Sequence, residues 1–77
     1  MRLVSYDGSI DILYDNVMLF VEEFGEAYAI RARIFPGDMV NPIMGIYESK
    51  ERVSQVLKEL RGKYAIMDTS VFYFPNE

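Results

Sequence analysis

The chain has 77 residues, with 8 Lys and Arg against 12 Asp and Glu, a net charge of −4, and neither Cys nor His. Disulfide staples, Cys/His zinc sites and thiol or imidazole chemistry are therefore left out. Without a lysine cluster the chain also lacks the electrostatic footprint of a protein that grips phosphate backbones.

One domain over 1–77 is expected, of a size that buries only roughly 60 to 65% of its unfolded surface. An apolar fraction of 51% in so short a chain, with no staple available, points to a partner subunit. The opening MRLVSYDG has no apolar run of signal-peptide length, and no segment approaches the roughly 18 apolar residues of a membrane span. The expected compartment is the cytoplasm.

In chain order, Leu3–Tyr6 and Ser9–Tyr14 flank Asp7-Gly8, a dipeptide that favours a two-residue hairpin and pairs Ser5 with Ile10 and Leu3 with Ile12. Asp15-Asn16 tolerates the left-handed region and predicts a second hairpin, with Tyr14 against Val17, Ile12 against Leu19 and Ile10 against Val21. Gly25-Glu26 predicts a third, with Val21 against Ile30, Leu19 against Ala32 and Val17 against Ile34. All three registers place one apolar set on one face: Leu3, Ile10, Ile12, Tyr14, Val17, Leu19, Val21, Ile30, Ala32 and Ile34.

Pro36-Gly37-Asp38 then turns the chain into a fifth strand, Met39–Tyr47. A three-residue loop adds Val40, Met44 and Ile46 to the core face and is the preferred register; a two-residue loop adds Ile43 instead. Pro42 cannot donate to a ladder, so this strand is expected at an edge or with a bulge.

Ser49–Gly62 is the one helix. Val53, Val56, Leu57, Leu60 and Tyr64 repeat at the helical period, Ser49 is placed to cap the start, and Gly62 is placed to end it in the left-handed region. Val71–Phe74, stopped by Pro75, reads as a short final strand returning to the first. The fold class is α+β: an antiparallel β-meander sheet of about five strands, one helix over 49–62 packed on one face, and a C-terminal strand over 71–74.

Residues able to do chemistry are few. The hydroxyls of Ser5, Ser9, Ser54, Thr69 and Ser70 have no imidazole base. Asp7, Asp11 and Asp15 recur every four residues but do not fit a calcium loop, and turn and solvent roles explain them. Glu22, Glu23 and Glu26 surround a hairpin turn, where carboxylates are normally solvated. No catalytic, cofactor-binding or metal-binding residues are expected, and no enzyme activity.

The second sheet face is more informative. The same registers put Val4, Leu13, Met18, Phe20, Arg31 and Arg33 there, with Phe20 opposite Arg31, Met18 opposite Arg33, and Asp11 opposite Phe20. A single helix covers only one face, so Leu13, Met18, Phe20, Arg31 and Arg33 form the candidate self-association surface of a homodimer. The alternative is that Phe72, Tyr73 and Phe74 close over this side. Arg31 and Arg33 interleaved with Phe20, Tyr28 and Phe35 also suggest a base-stacking platform, which the acidic balance argues against.

The opening strand with Asp7-Gly8, Ile10-Asp11-Ile12 before Tyr14-Asp15-Asn16, Gly45-Ile46-Tyr47 leading into Ser49-Lys50-Glu51-Arg52, and the ending at Phe72 to Pro75 together resemble a loose group of short bacterial and prophage-encoded proteins of unknown function. The resemblance spans most of the chain and rests on structural motifs. It implies a small soluble product of a bacterial genome or mobile element. Leu13 stands where such proteins often carry Pro, in keeping with a tight second hairpin.

Two functions follow as expectations. One is a non-catalytic, self-associating protein-interaction module. The other is an acidic phage-type inhibitor or decoy that occupies a basic site on a host protein. Neither needs nucleic acid, a membrane or a cofactor.

Overall fold

The computed structural model describes residues 1–34, 41–66 and 71–77. At the first turn Gly8 takes φ 77°, open to glycine at no steric cost. The Asp7 carboxylate fixes the loop by accepting from Ser5 Oγ (2.8 Å), Ser9 Oγ (2.7 Å) and Ser9 N (3.0 Å). Strands β1 (Arg2–Val4) and β2 (Asp11–Leu13) leave it antiparallel, with Leu3 opposite Ile12 and Ser5 N donating to Ile10 O at 2.9 Å. Gly25, at φ 63°, turns β3 (Val17–Phe24) into β4 (Ala27–Ile34) with the expected partners: Val21 and Ile30, Leu19 and Ala32, Val17 and Ile34.

The middle turn departs from expectation. Tyr14–Asn16 is one turn of 3-10 helix, closed by Val17 N on Tyr14 O, so Ile12 does not face Leu19 and Ile10 does not face Val21. A local three-residue turn satisfies the same backbone groups as a tight hairpin but redirects the chain. The other flank of β1 is taken, as expected of the returning final strand, by β6 (Val71–Tyr73), parallel, with Phe72 opposite Leu3 and Phe74 N on Val4 O at 3.0 Å. The α+β class holds, with the meander divided into two three-stranded sheets, β2-β1-β6 and β3-β4-β5 (Ile43–Tyr47). Tyr6 N donates to Met44 O (2.8 Å) and ties one sheet to the other.

Strand β5 is an edge strand and also carries a bulge. Ile30 pairs with Gly45 and Arg31 with Ile43, so Met44 is the extra residue. Met44 is fully buried, whereas Ile43 and Ile46 stand on the face of Arg31 and Ala29. The preferred register is thus corrected at Ile46, because the bulge reverses facing on either side of Met44. The proposed turn at Pro36-Gly37-Asp38, together with Met39 and Val40, lies outside the described residues.

Helix α1 (Lys50–Ala65) starts where expected, with Ser49 Oγ accepting from Arg52 N at 3.1 Å. It runs past Gly62 to a cap at Ile66, since Gly62 sits inside the last turn and not in the left-handed region. The added turn carries Tyr64, which meets Tyr14 edge to face at a centroid distance of 4.9 Å. The helix packs on β4 and β5, burying Val53, Val56 and Leu60. They join Leu3, Ile30, Ala32, Met44, Tyr47, Phe72 and Phe74 in one core cluster, with Leu57 only partly covered. Arg52, on the wet side of the helix, also has partners: its Nε donates to Glu77 Oε2 (2.6 Å) and its Nη1 to Gln55. No helix among the described residues is long and apolar enough to cross a membrane.

Candidate interaction surface

The β3-β4-β5 sheet has one face toward the helix and one away. Alternation along β3 and β4 sends Val17, Leu19, Val21, Ile30 and Ala32 to the helix side, and Met18, Phe20, Glu22, Arg31 and Arg33 to the outer side. Phe20 lies opposite Arg31 and Met18 opposite Arg33, as the turn chemistry predicted. Met18 and Phe24 remain 46% and 44% exposed, and Phe20 is half-buried.

The bulge adds Ile43 and Ile46 to this face. Sequence reasoning placed Ile46 on the core side; the signal that finds both is Pro42, whose missing N–H predicts the irregularity that flips them. Arg31 threads between these apolar groups. Its Nη1 donates to the Asn41 carbonyl at 2.8 Å and its Nε pairs with Glu22, so the guanidinium is held from two sides. Arg33, one pair further along, is exposed.

Leu13 does not belong to this surface. It ends β2 in the other sheet, 48% exposed, and Asp11 does not face Phe20 but pairs with Arg2 at 2.9 Å. The stacking platform is likewise dispersed: Tyr28 faces the helix, opposite Tyr47 and beneath the Lys50 ammonium (5.7 Å to the ring centroid), while Phe35 lies outside the described residues. The C-terminal aromatics do not cover the outer face either. Phe72 and Phe74 enter the core beside Leu3 and Ile30, meeting edge to face at 5.2 Å, and Tyr73 points to solvent.

On the helix side, the coverage stops short of β3. Val21, expected in the core, is 45% exposed because α1 lies over β4 and β5. Between Val21 and the helix runs a groove of about 410 Å³ lined by Val21, Glu23, Tyr28, Lys50, Val53, Ser54 and Leu57.

Two titratable side chains, Asp7 and Tyr47, are tied into the fold by hydrogen bonds. Hydrogen bonds from Ser9 and Ser5 hold the Asp7 carboxyl down at about 2, the mark of a turn-fixing carboxylate. Burial pushes the Tyr47 phenol above its usual range while its Oη donates to Pro75 O at 3.0 Å. Among the described residues no group of three or more acidic side chains is placed to hold a metal ion. No family model, curated protein or solved structure matches the chain.

Proposed function

We propose that this protein is a small, non-catalytic interaction module that associates with copies of itself. The supporting observation is the outer face of the β3-β4-β5 sheet. Met18, Phe20, Ile43 and Ile46 stand there beside Arg31 and Arg33, with Phe24 further along β3, on the side opposite the only α-helix among the described residues. Large apolar side chains, Met and Arg in one patch are the residue types that protein interfaces favour. Arg31 supports this reading because it is already held by Glu22 and Asn41, so little side-chain freedom remains to be lost on association.

Phe20→Asp tests it. At micromolar concentration, light scattering should find the wild type associated and the variant monomeric with native circular dichroism. A wild type that is monomeric under those conditions refutes the proposal.

A second reading is an acidic inhibitor of a basic host site. It is favoured by Glu22, Glu23 and Glu26, all exposed around the β3–β4 turn. A pull-down separates the two: the inhibitor recovers one stoichiometric basic partner, the module mainly itself.

A further inference from the structure

We infer that two copies of this chain join through the open edge of β3, pairing antiparallel about a two-fold axis at Leu19 to make one six-stranded sheet. The inference rests on the self-association proposed above and adds its geometry.

Edges are where a sheet is vulnerable to further pairing, and proteins shorten, kink or charge them. Among the described residues, three of the four sheet edges are blunted. β2 and β6 are three residues long, and β5 follows directly on Pro42, carries a bulge and already gives Met44 O to Tyr6. β3 is the exception. It runs eight residues, its only strand partner among the described residues is β4, and Val17–Val21 contains no charge, proline or glycine.

The backbone of that edge points outward at the needed residues. Ala32 N donates to Pro42 O at 3.0 Å, so Ala32 turns its peptide groups toward the β5 side. Successive residues of an antiparallel ladder alternate in direction. At the Leu19–Ala32 pair, therefore, Leu19 turns its N–H and C=O away from β4, and Val21 does the same; Val17 offers only its C=O, because its N–H already donates to Tyr14 O.

The segment is also complementary to itself. Val-Met-Leu-Phe-Val about Leu19 sets Leu19 against Leu19 of the second copy, Val17 against its Val21, and Met18 against its Phe20. Every opposed pair is apolar, and facing is preserved because paired residues have the same parity. A two-fold one residue later would set Glu22 against Met18 and Glu23 against Val17. The Leu19 axis leaves both carboxylates beyond the pairing. The second copy's Val17 then lies beside Val21, at the open wall of the groove that α1 leaves uncovered. A second copy, and not an unrelated strand, is thus the occupant that this palindrome of apolar residues fits.

Val21→Pro is the direct test. It deletes an outward N–H, which an edge strand tolerates, and leaves the β3–β4 hydrogen bonds in place. Sedimentation at micromolar concentration should show wild type and Lys58→Glu, on the exposed side of α1, as dimers, and Val21→Pro as a monomer with native circular dichroism. Should the proline disturb folding, Val21→Lys at this half-exposed position should be folded and monomeric. In the wild type, amide exchange at Leu19 and Val21 should slow as concentration rises through the association range. A folded Val21→Pro or Val21→Lys that stays dimeric, or exchange at Leu19 and Val21 that ignores concentration in a dimeric wild type, overturns the edge while leaving the module intact. A Phe20→Asp monomer with a dimeric Val21→Lys moves the contact to the outer face. A monomeric wild type overturns both.

Discussion

The ring of Tyr47 lies directly over Gly45. A Cβ at residue 45 would stand 2.6 Å from Tyr47 Cε2 and 2.7 Å from Cζ, closer than real side chains approach. The two residues share a face of β5, and the missing side chain at one is the space occupied by the other. The ring is buried in consequence, and its hydroxyl reaches the Pro75 carbonyl.

Gly45→Ala is therefore expected to destabilise the fold by about 1 to 3 kcal/mol, as overpacking does. Tyr47→Phe alone should cost about 0.5 to 1.5 kcal/mol for the hydroxyl bond. Because the methyl group added by Gly45→Ala would already displace the hydroxyl, the two losses should be less than additive in denaturant titrations. Full additivity would mean that the ring had not moved.

Gly62→Ala should do the reverse. Nothing lies within 4 Å of a Cβ built there, and the residue is within the helix, so alanine should stabilise by about 0.5 to 1 kcal/mol. A lowered melting temperature would show that the glycine is needed for a conformation other than the helical one.

Along α1, Leu60 is fully buried and Leu57 only partly so. Leu60→Ala should cost about 2 to 5 kcal/mol and Leu57→Ala clearly less, under about 2 kcal/mol. Equal losses in urea titrations would place the helix axis further toward β3, over the groove.

These substitutions mark how far the sequence could be read. Turns at Asp7-Gly8 and Gly25-Glu26 were legible because residues in contact with each other set them: the Asp7 carboxylate with Ser5 and Ser9 in the first, a positive φ at Gly25 in the second. Asp15-Asn16 has equally good turn chemistry, but a 3-10 turn uses it as well as a hairpin does. The deciding interactions were distant, with β6 beside β1 and Tyr14 against Tyr64. The same Tyr14–Tyr64 contact favours carrying the helix beyond Gly62. For the interaction surface, Met18, Phe20, Arg31 and Arg33 followed from one local hairpin, whereas Leu13 was assigned through the turn that does not form. Ile43 and Ile46 depended on a bulge whose position a sequence with Pro42 announces only within a residue or two.

Acid should act on the first turn. The Asp7 carboxyl titrates at about 2 in the folded chain, held down first by Ser9 and then by Ser5. Its folded value lies below the unfolded value of about 3.9, so its stabilising contribution is present above about pH 4 and is lost as the pH falls toward about 2. Thermal melts of the wild type should lose more across that acid range than those of Asp7→Asn, which keeps an acceptor but no charge. Parallel pH profiles for the two proteins would locate the acid sensitivity elsewhere.

The placement of β1 between β2 and β6 has a kinetic consequence. Leu3 gains one neighbour, Ile12, from a turn a few residues away, but the other, Phe72, comes from beyond both hairpins and the helix. Loop closure of that length must precede any reward from the contact, and parallel pairings so remote in sequence form late. A chain emerging from synthesis would hold a finished β3–β4 hairpin while one flank of β1 is still open. During that interval the apolar edge of β3 and the vacant side of β1 are available together, so the rate at which residues 71–74 dock governs how long misassembly can compete.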